Sequence, residues 1–349
     1  MENILTYLRY RKDIPTSKMA WNEADYVAFS MISYLDYTGL CEDWPLLSEA
    51  AARYRDKYYP QGDQQAHMRE KALFEMADSI RYRKVRIGRY LRDIDEIQEK
   101  TVYAVTFRLS RFHSIVAFPG TDHSMLSWKE NFIYLYRYDA PGLLQCKDYL
   151  ESAINRSFMK VTVIGHSKGG LQAVYASCRL PAQLRRKIKA LYLFDAPGFA
   201  YPIETEEGYR ELESRMKSFV PEDCVIGNLN HASYGDRQMI RSYETGFAQH
   251  ECDNWQMTAT GIARGQAASE FSEKSSKVFN TLVESVPVEE REMVITEMFD
   301  VLKNNGITRI DDINNLRFGN ALKILLSYPR LSPQTRNLMK TLLKEMKNG

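Results

Sequence analysis

The stretch KVTVIGHSKGGLQAVYASC, residues 160–178, limits what this chain can fold into more than any other. Its opening, KVTVI, is β-branched and apolar, as a buried strand is, and LQAVYASC after it is a helical run. Between them GHSKGG leaves only a tight turn, so a strand passes almost directly into a helix, the layering of an α/β protein. A Gly-x-Ser-x-Gly turn in that setting holds its serine in a strained backbone conformation and projects it above the sheet. Ser167 is therefore a candidate nucleophile. Gly165 and Gly169 suit a turn that larger side chains would crowd, and Gly170 lets the helix pack closely on the sheet. The backbone N–H of Lys168 points to where an oxyanion would develop. His166 takes a packing role. A plain serine in a glycine-rich turn is the competing reading, and only partners elsewhere in the chain decide against it.

The surroundings carry the same layering. TVYAVTFRL and HSIVAFPG read as neighbouring strands joined by a short polar turn, and KALYLFDAPG as the strand after the serine helix. The alternation between residues 100 and 200 predicts a mostly parallel sheet with helices on its faces. Residues 1–100 read as mostly helical. In NEADYVAFSMISYLDYTG, Val27, Met31, Ile32 and Leu35 recur at helical spacing until Gly39, and QQAHMREKALFEMADSIRYRKV is amphipathic. Beyond residue 200 come a helix (TEEGYRELESRMKSF), the short segment SFVPEDCVIG and a strand candidate, RQMIRSY. From about 258 the pattern is helical again, in SSKVFNTLVESV, EREMVITEMFDVLKNNG and PQTRNLMKTLLKEMK, with Gly or Pro between. Three regions follow: 1–100 helical and packed on the core, 101–257 the α/β core, and 258–349 a helical extension.

A nucleophilic serine needs a base, and the chain has six histidines. His67 lies in the early helical region, His113 begins a strand and His123 follows the FPGT turn. His231 and His250 lie downstream, where the chain order Ser…Asp…His puts the base. His250, in the loop after RQMIRSY, is favoured; His231 reads as an exposed loop residue. For the acid, Asp223 follows the short strand candidate MKSFV and is favoured over Asp195, which closes the strand LYLF. Asp236 reads as solvated. Either of the first two would hold the imidazole tautomer and stabilise the imidazolium. The second oxyanion donor is expected after an early strand, where FPGT places Thr121 to offer its N–H alongside that of Lys168.

Composition excludes several classes. A net charge of +2 with no basic stripe argues against nucleic acid. Five scattered cysteines without a CxxC pair suggest a reducing compartment and no metal site. The N-terminus lacks the apolar core of a signal peptide, and no apolar run approaches the roughly 20 residues that span a bilayer. The expectation is a cytoplasmic protein with no transmembrane segment, free to touch a membrane surface transiently, and with no cofactor.

Taken together, VAFPGTDHSMLSWKENF, VIGHSKGG, LYLFDAPGF and AQHECDNW resemble a bacterial lipase-like α/β-hydrolase family of uncharacterised function, distantly related to the fungal-type class 3 lipases. The opening NILTYLRYRKDIP…WNEADYVAFSMISYLDY is similar to that family's N-terminal signature. The resemblance spans roughly residues 1–260. It implies an α/β-hydrolase fold, Ser167 as nucleophile, His250 as base and an oxyanion loop at FPGTD. Two departures stand out. Pro119 replaces the arginine usual in class 3 lipases, and Lys168 replaces an apolar residue, so that its cation either favours anionic substrates or simply reaches solvent. The helical tail after 258 finds no counterpart in the lipase pattern. The expected activity is hydrolysis of a small-molecule or lipid carboxylic ester through an acyl-enzyme. ENFIYLYRYDAPGLL would then be a lid or acyl-chain wall, or else a packed surface helix. The competing class is a non-catalytic binding protein on the same fold.

Overall fold

Seven strands form one sheet in chain order: β1 (Arg86–Asp95), β2 (Lys100–Ser110), β3 (His113–Phe118), β4 (Lys160–His166), β5 (Ile188–Phe194), β6 (Met216–Pro221) and β7 (Asp236–Ile240). The structure is a computed structural model and describes residues 2–62, 65–155, 160–309, 312, 331–338 and 340. From β3 to β7 every neighbouring pair is parallel, as expected for strands separated by helical crossovers. The first two pairings are antiparallel, which corrects the expectation of a mostly parallel sheet at this edge. The cause is local: short polar turns join β1 to β2 and β2 to β3, too short for a crossover. β1 also lies within residues 1–100, so the sheet begins before the helical pattern was expected to end.

Side chains alternate across the sheet with period two, and the two faces belong to different helical layers. Ile115 and Ala117 of β3, with Ile164 and Phe194, join a core shared with the N-terminal helices α1 (Ile4–Arg11), α2 (Glu23–Ile32), α3 (Leu47–Tyr58) and α4 (Met68–Ala77). Val116 and Phe118, with Val161, Val163, Leu191 and Leu193, face the other way. There they meet α5 (Met125–Ile133), α6 (Pro141–Asn155), α7 (Lys168–Cys178) and α9 (Glu207–Leu212), while the short α8 (Ala182–Arg185) leads into β5. α7 is buried along its whole length.

α2 starts in a capping box, with Asn22 accepting from the Ala24 and Asp25 N–H groups and the Asp25 carboxylate accepting from the Asn22 N–H. Asp25 also pairs with Arg81 at 2.5 Å, both side chains fully buried, and this ties α2 to the chain after α4. The expected helix around residues 24–38 ends sooner, at Ile32, and Gly39 serves the turn that follows, at φ +78°. Beyond the sheet come α10 (Glu270–Glu284) and α11 (Val288–Asn304). Of the last expected helix, residues 333–338 and 340 are helical and the remainder lies outside the described residues.

Candidate active site

β4 ends at His166 and α7 begins at Lys168, so Ser167 alone makes the turn between them, at φ 54° and ψ −130°. A non-glycine residue in this region carries about 1–3 kcal/mol of strain, which the surroundings must hold. They do so through Ser167 N–H bonding Phe194 O and Gly170 N–H bonding Ser167 O, each at 2.9 Å. A Cβ on Gly165 would collide with the Gly169 carbonyl, and one on Gly169 with the Phe118 carbonyl. Both glycines are thus required by close backbone approach. The Ser167 hydroxyl makes no hydrogen bond among the described residues and faces a cavity that His250 also lines.

Of the two aspartates weighed for the acid, the structure brings Asp195 to the imidazole. Its Oδ2 lies 2.6 Å from His250 Nδ1, and the carboxylate is fully buried. The reason is strand register. His166 pairs with Phe194, so Ser167 and Asp195 leave adjacent strand ends at the same level, both at positive φ. Asp223, favoured in the sequence, lies beyond the end of the next strand over. Its carboxylate accepts from the Gly246 N–H at 2.5 Å and from the Ser269 hydroxyl. It organises the loop that carries His250 without touching the ring. His231 pairs at the surface with Glu284 and stays outside the site.

Two further donors hold Asp195, and neither was foreseen. The Cys224 thiol donates to Oδ2 at 2.7 Å, and the Gly227 N–H to Oδ1 at 3.0 Å. Burial, reinforced by the adjacent carboxylate, pushes the Cys224 thiol up, so it remains a protonated donor. Asp195, Cys224 and His250 are also the one group among the described residues with the composition of a metal site. Their geometry does not suit one. Ligand atoms around zinc, at bond lengths of about 2.0–2.3 Å, stand roughly 3.5 Å apart, whereas these close on one another at 2.6–2.7 Å as donors and acceptor.

The Lys168 side chain neither reaches solvent nor faces the cavity. Its ammonium is buried, 2.6 Å from Glu130 Oε2 on α5, and donates to Thr101 Oγ1 at 2.8 Å and Ser127 Oγ at 2.9 Å. This sets aside both readings of the cation offered by the sequence. The ion pair joins β2, α5 and α7 beneath the Thr121 loop. Ser127 Oγ in turn accepts from the Asp122 N–H at 3.3 Å. Asp122 is fastened further by Tyr103 and Ser124. Burial alone would raise the Asp122 carboxyl; the hydrogen bonds from Ser124 and Tyr103 outweigh it and hold the group below the ordinary aspartate value. Thr121 lines the cavity beside Ser167, with its hydroxyl accepting from Asn131 Nδ2 at 2.9 Å. As the first residue of α7, Lys168 has a backbone N–H with no intrahelical acceptor.

The cavity holds about 500 Å³, and apolar side chains dominate its walls. Phe132 and Leu135, from the segment expected to supply either a wall or a packed helix, form one side together with Trp128 just before it. Val278, Phe279 and Leu282 of α10 form another. The C-terminal helical region therefore contributes directly to the site, which its sequence did not reveal. The adjoining seam of α10 is polar: Ser272 bonds Cys224 O at 2.5 Å, and Asn280 accepts from the Asn230 N–H at 2.7 Å. Among the described residues no helix is long and apolar enough to cross a membrane.

A family model described as Mbeg1-like matches residues 76–300, more than half of the chain. No curated protein matches the sequence. Among solved structures, the chain is similar to a deletion mutant of the Rhizomucor miehei lipase propeptide complex, with 14% identity, a TM-score of 0.40, and coverage of 68% of this chain and 77% of that one. A mutant protein from Penicillium cyclopium gives 14% identity, a TM-score of 0.39, and coverage of 75% and 92%. The lipase from Rhizopus microsporus var. chinensis gives 12% identity, a TM-score of 0.35, and coverage of 70% and 90%. Likeness at this level carries no chemistry across to this chain.

Proposed function

The chain belongs to the Mbeg1-like family, and we propose that it is a serine hydrolase of carboxylic esters working through an acyl-enzyme. The observation that carries this reading is the Asp195–His250 contact, with His250 and Ser167 lining one cavity. With Nδ1–H donated to the carboxylate, a neutral His250 presents an unprotonated Nε2 as a base. Ser167 Oγ attacks the ester carbonyl carbon while its proton passes to Nε2. The carbonyl oxygen becomes an oxyanion held by the N–H groups of Thr121 and Lys168. The intermediate collapses as His250 returns the proton to the departing alcohol. Water then attacks the acyl carbon as its proton passes to His250 Nε2, and His250 returns that proton to Ser167 Oγ as the acyl–oxygen bond breaks, releasing the acid. Asp195 holds the tautomer and stabilises the imidazolium, the role that the sequence favoured for Asp223.

The apolar walls support an ester with an aliphatic acyl chain, whether from a lipid or a small molecule. No step calls on a metal or cofactor. The five cysteines, all buried and free, support a reducing, cytoplasmic setting.

A fluorophosphonate probe tests the assignment. Wild type should be labelled and Ser167→Ala should not. Asp195→Asn should slow ester turnover by about 10³–10⁴-fold, by analogy with tautomer loss in other triads, while Asp223→Asn stays within several-fold. The reverse ranking of the two variants would overturn the choice of acid. A folded wild type that resists the probe would instead favour a binding protein.

A further inference from the structure

Tyr34, two residues beyond α2, reaches the site from the N-terminal helical layer. Its hydroxyl lies 2.5 Å from His166 Nδ1, and His166 Nε2 lies 2.8 Å from the carbonyl oxygen of His250. The direction of these bonds follows from the acceptor at the end. A carbonyl only accepts, so Nε2 carries the hydrogen and donates. Burial pushes His166 down to about 3, with the neighbouring His250 adding to the effect, so the ring is neutral and Nδ1 is bare. The Tyr34 hydroxyl therefore donates to Nδ1. The same oxygen packs closely against the Gly120 backbone.

One tyrosine thus connects the three segments that meet at Ser167. Gly120 precedes Thr121 of the oxyanion loop, His166 precedes the serine, and His250 carries the base. The packing leaves little slack: a Cβ on Gly120 would lie 2.5 Å from the Tyr34 hydroxyl and 2.8 Å from both the His166 carbonyl oxygen and Ser167 Cβ. The Tyr34 ring is gripped from outside by the Arg69 guanidinium, 3.9 Å from its centroid, and Arg69 bonds Glu251, next to His250, at 2.8 Å. The relay runs on the side of the His250 backbone, whereas Asp195 holds the ring.

We propose that Tyr34 and His166 are positioning residues, which set the His250 backbone and the oxyanion loop at their working distances from Ser167. This rests on the hydrolase reading above. Neither residue exchanges a proton with substrate; removing a link lets the base and the oxyanion donors drift, and misplacements near 1 Å cost about 100-fold in rate.

Tyr34→Phe deletes one oxygen and keeps the ring under Arg69. With p-nitrophenyl butyrate, kcat should fall by about 10–100-fold with KM little changed, and fluorophosphonate labelling of Ser167 should slow in parallel. In ¹⁵N spectra of the wild type, His166 should show the Nε2–H tautomer, and Tyr34→Phe should weaken or lose that preference. Wild-type kcat and labelling in a folded Tyr34→Phe would overturn the proposal, even with a lowered Tm. Should Tyr34→Phe not fold, His166→Gln and His166→Leu replace it. Glutamine still offers a donor to the His250 carbonyl and should retain most of the activity that leucine loses; equal activity would overturn the proposal. If the wild type itself is not labelled while the tautomer is as described, the hydrolase reading fails, and the positioning role falls with it.

Discussion

Replacing Lys168 with methionine keeps the backbone N–H and most of the side-chain volume and removes only the cation. Glu130 then remains 1% exposed without its partner, and its Oε1 already lacks a hydrogen bond. Breaking a buried pair in this way costs about 3–5 kcal/mol, since the leftover charge is not solvated. Unfolding entropy of about 2.1 cal/mol/K per residue over 349 residues amounts to roughly 0.7 kcal/mol/K. The expected fall in Tm is therefore about 4–7 °C. Removing both charges, in Lys168→Met with Glu130→Leu, leaves no stranded ion and should recover to within about 1 kcal/mol of wild type or better. Urea unfolding and calorimetry on the four members of this cycle supply the numbers. A single variant that loses less than about 1 kcal/mol, or a double variant as unstable as the single, would refute the reasoning. Because the cation is buried under the Thr121 loop, its loss should leave the preference between neutral and anionic esters unchanged.

Two more outcomes follow from the same geometry. His166 has a folded value near 3 against about 6.5 unfolded, so between these pH values the unfolded chain binds a proton that the native one refuses. Its contribution is fully present above pH 6.5 and is lost as pH falls toward 3, at up to about 1.4 kcal/mol per unit. The stability advantage of wild type over His166→Gln should therefore shrink between pH 7 and pH 5 in urea unfolding; a constant difference would count against it. On the α10 wall, Val278→Trp fills part of the cavity and should lower kcat/KM for long-chain p-nitrophenyl esters at least about tenfold relative to short ones. An unchanged chain-length profile would remove α10 from the acyl site.

What was legible in the sequence was what neighbouring residues decide together. GHSKGG between a strand and a helix dictates an elbow through steric limits that span only a few residues, and the structure has Ser167 at φ 54° there. The place of His250 downstream follows from chain order, and the alternation of VAF and VTVIG follows from the period of a strand. The remaining features depend on contacts between distant residues. Asp195 rather than Asp223 meets His250 because β4 and β5 pair with His166 opposite Phe194, a register that no local pattern states. The burial of Lys168 depends on Glu130, 38 positions away, and the grip on His166 on Tyr34, 132 positions away. The α10 wall looked like an ordinary amphipathic helix, since periodicity tells which side is apolar and not what that side covers. Local sterics and side-chain period determined the elbow and the layers; long-range packing and strand register alone decided which charges are buried and which partners surround Ser167.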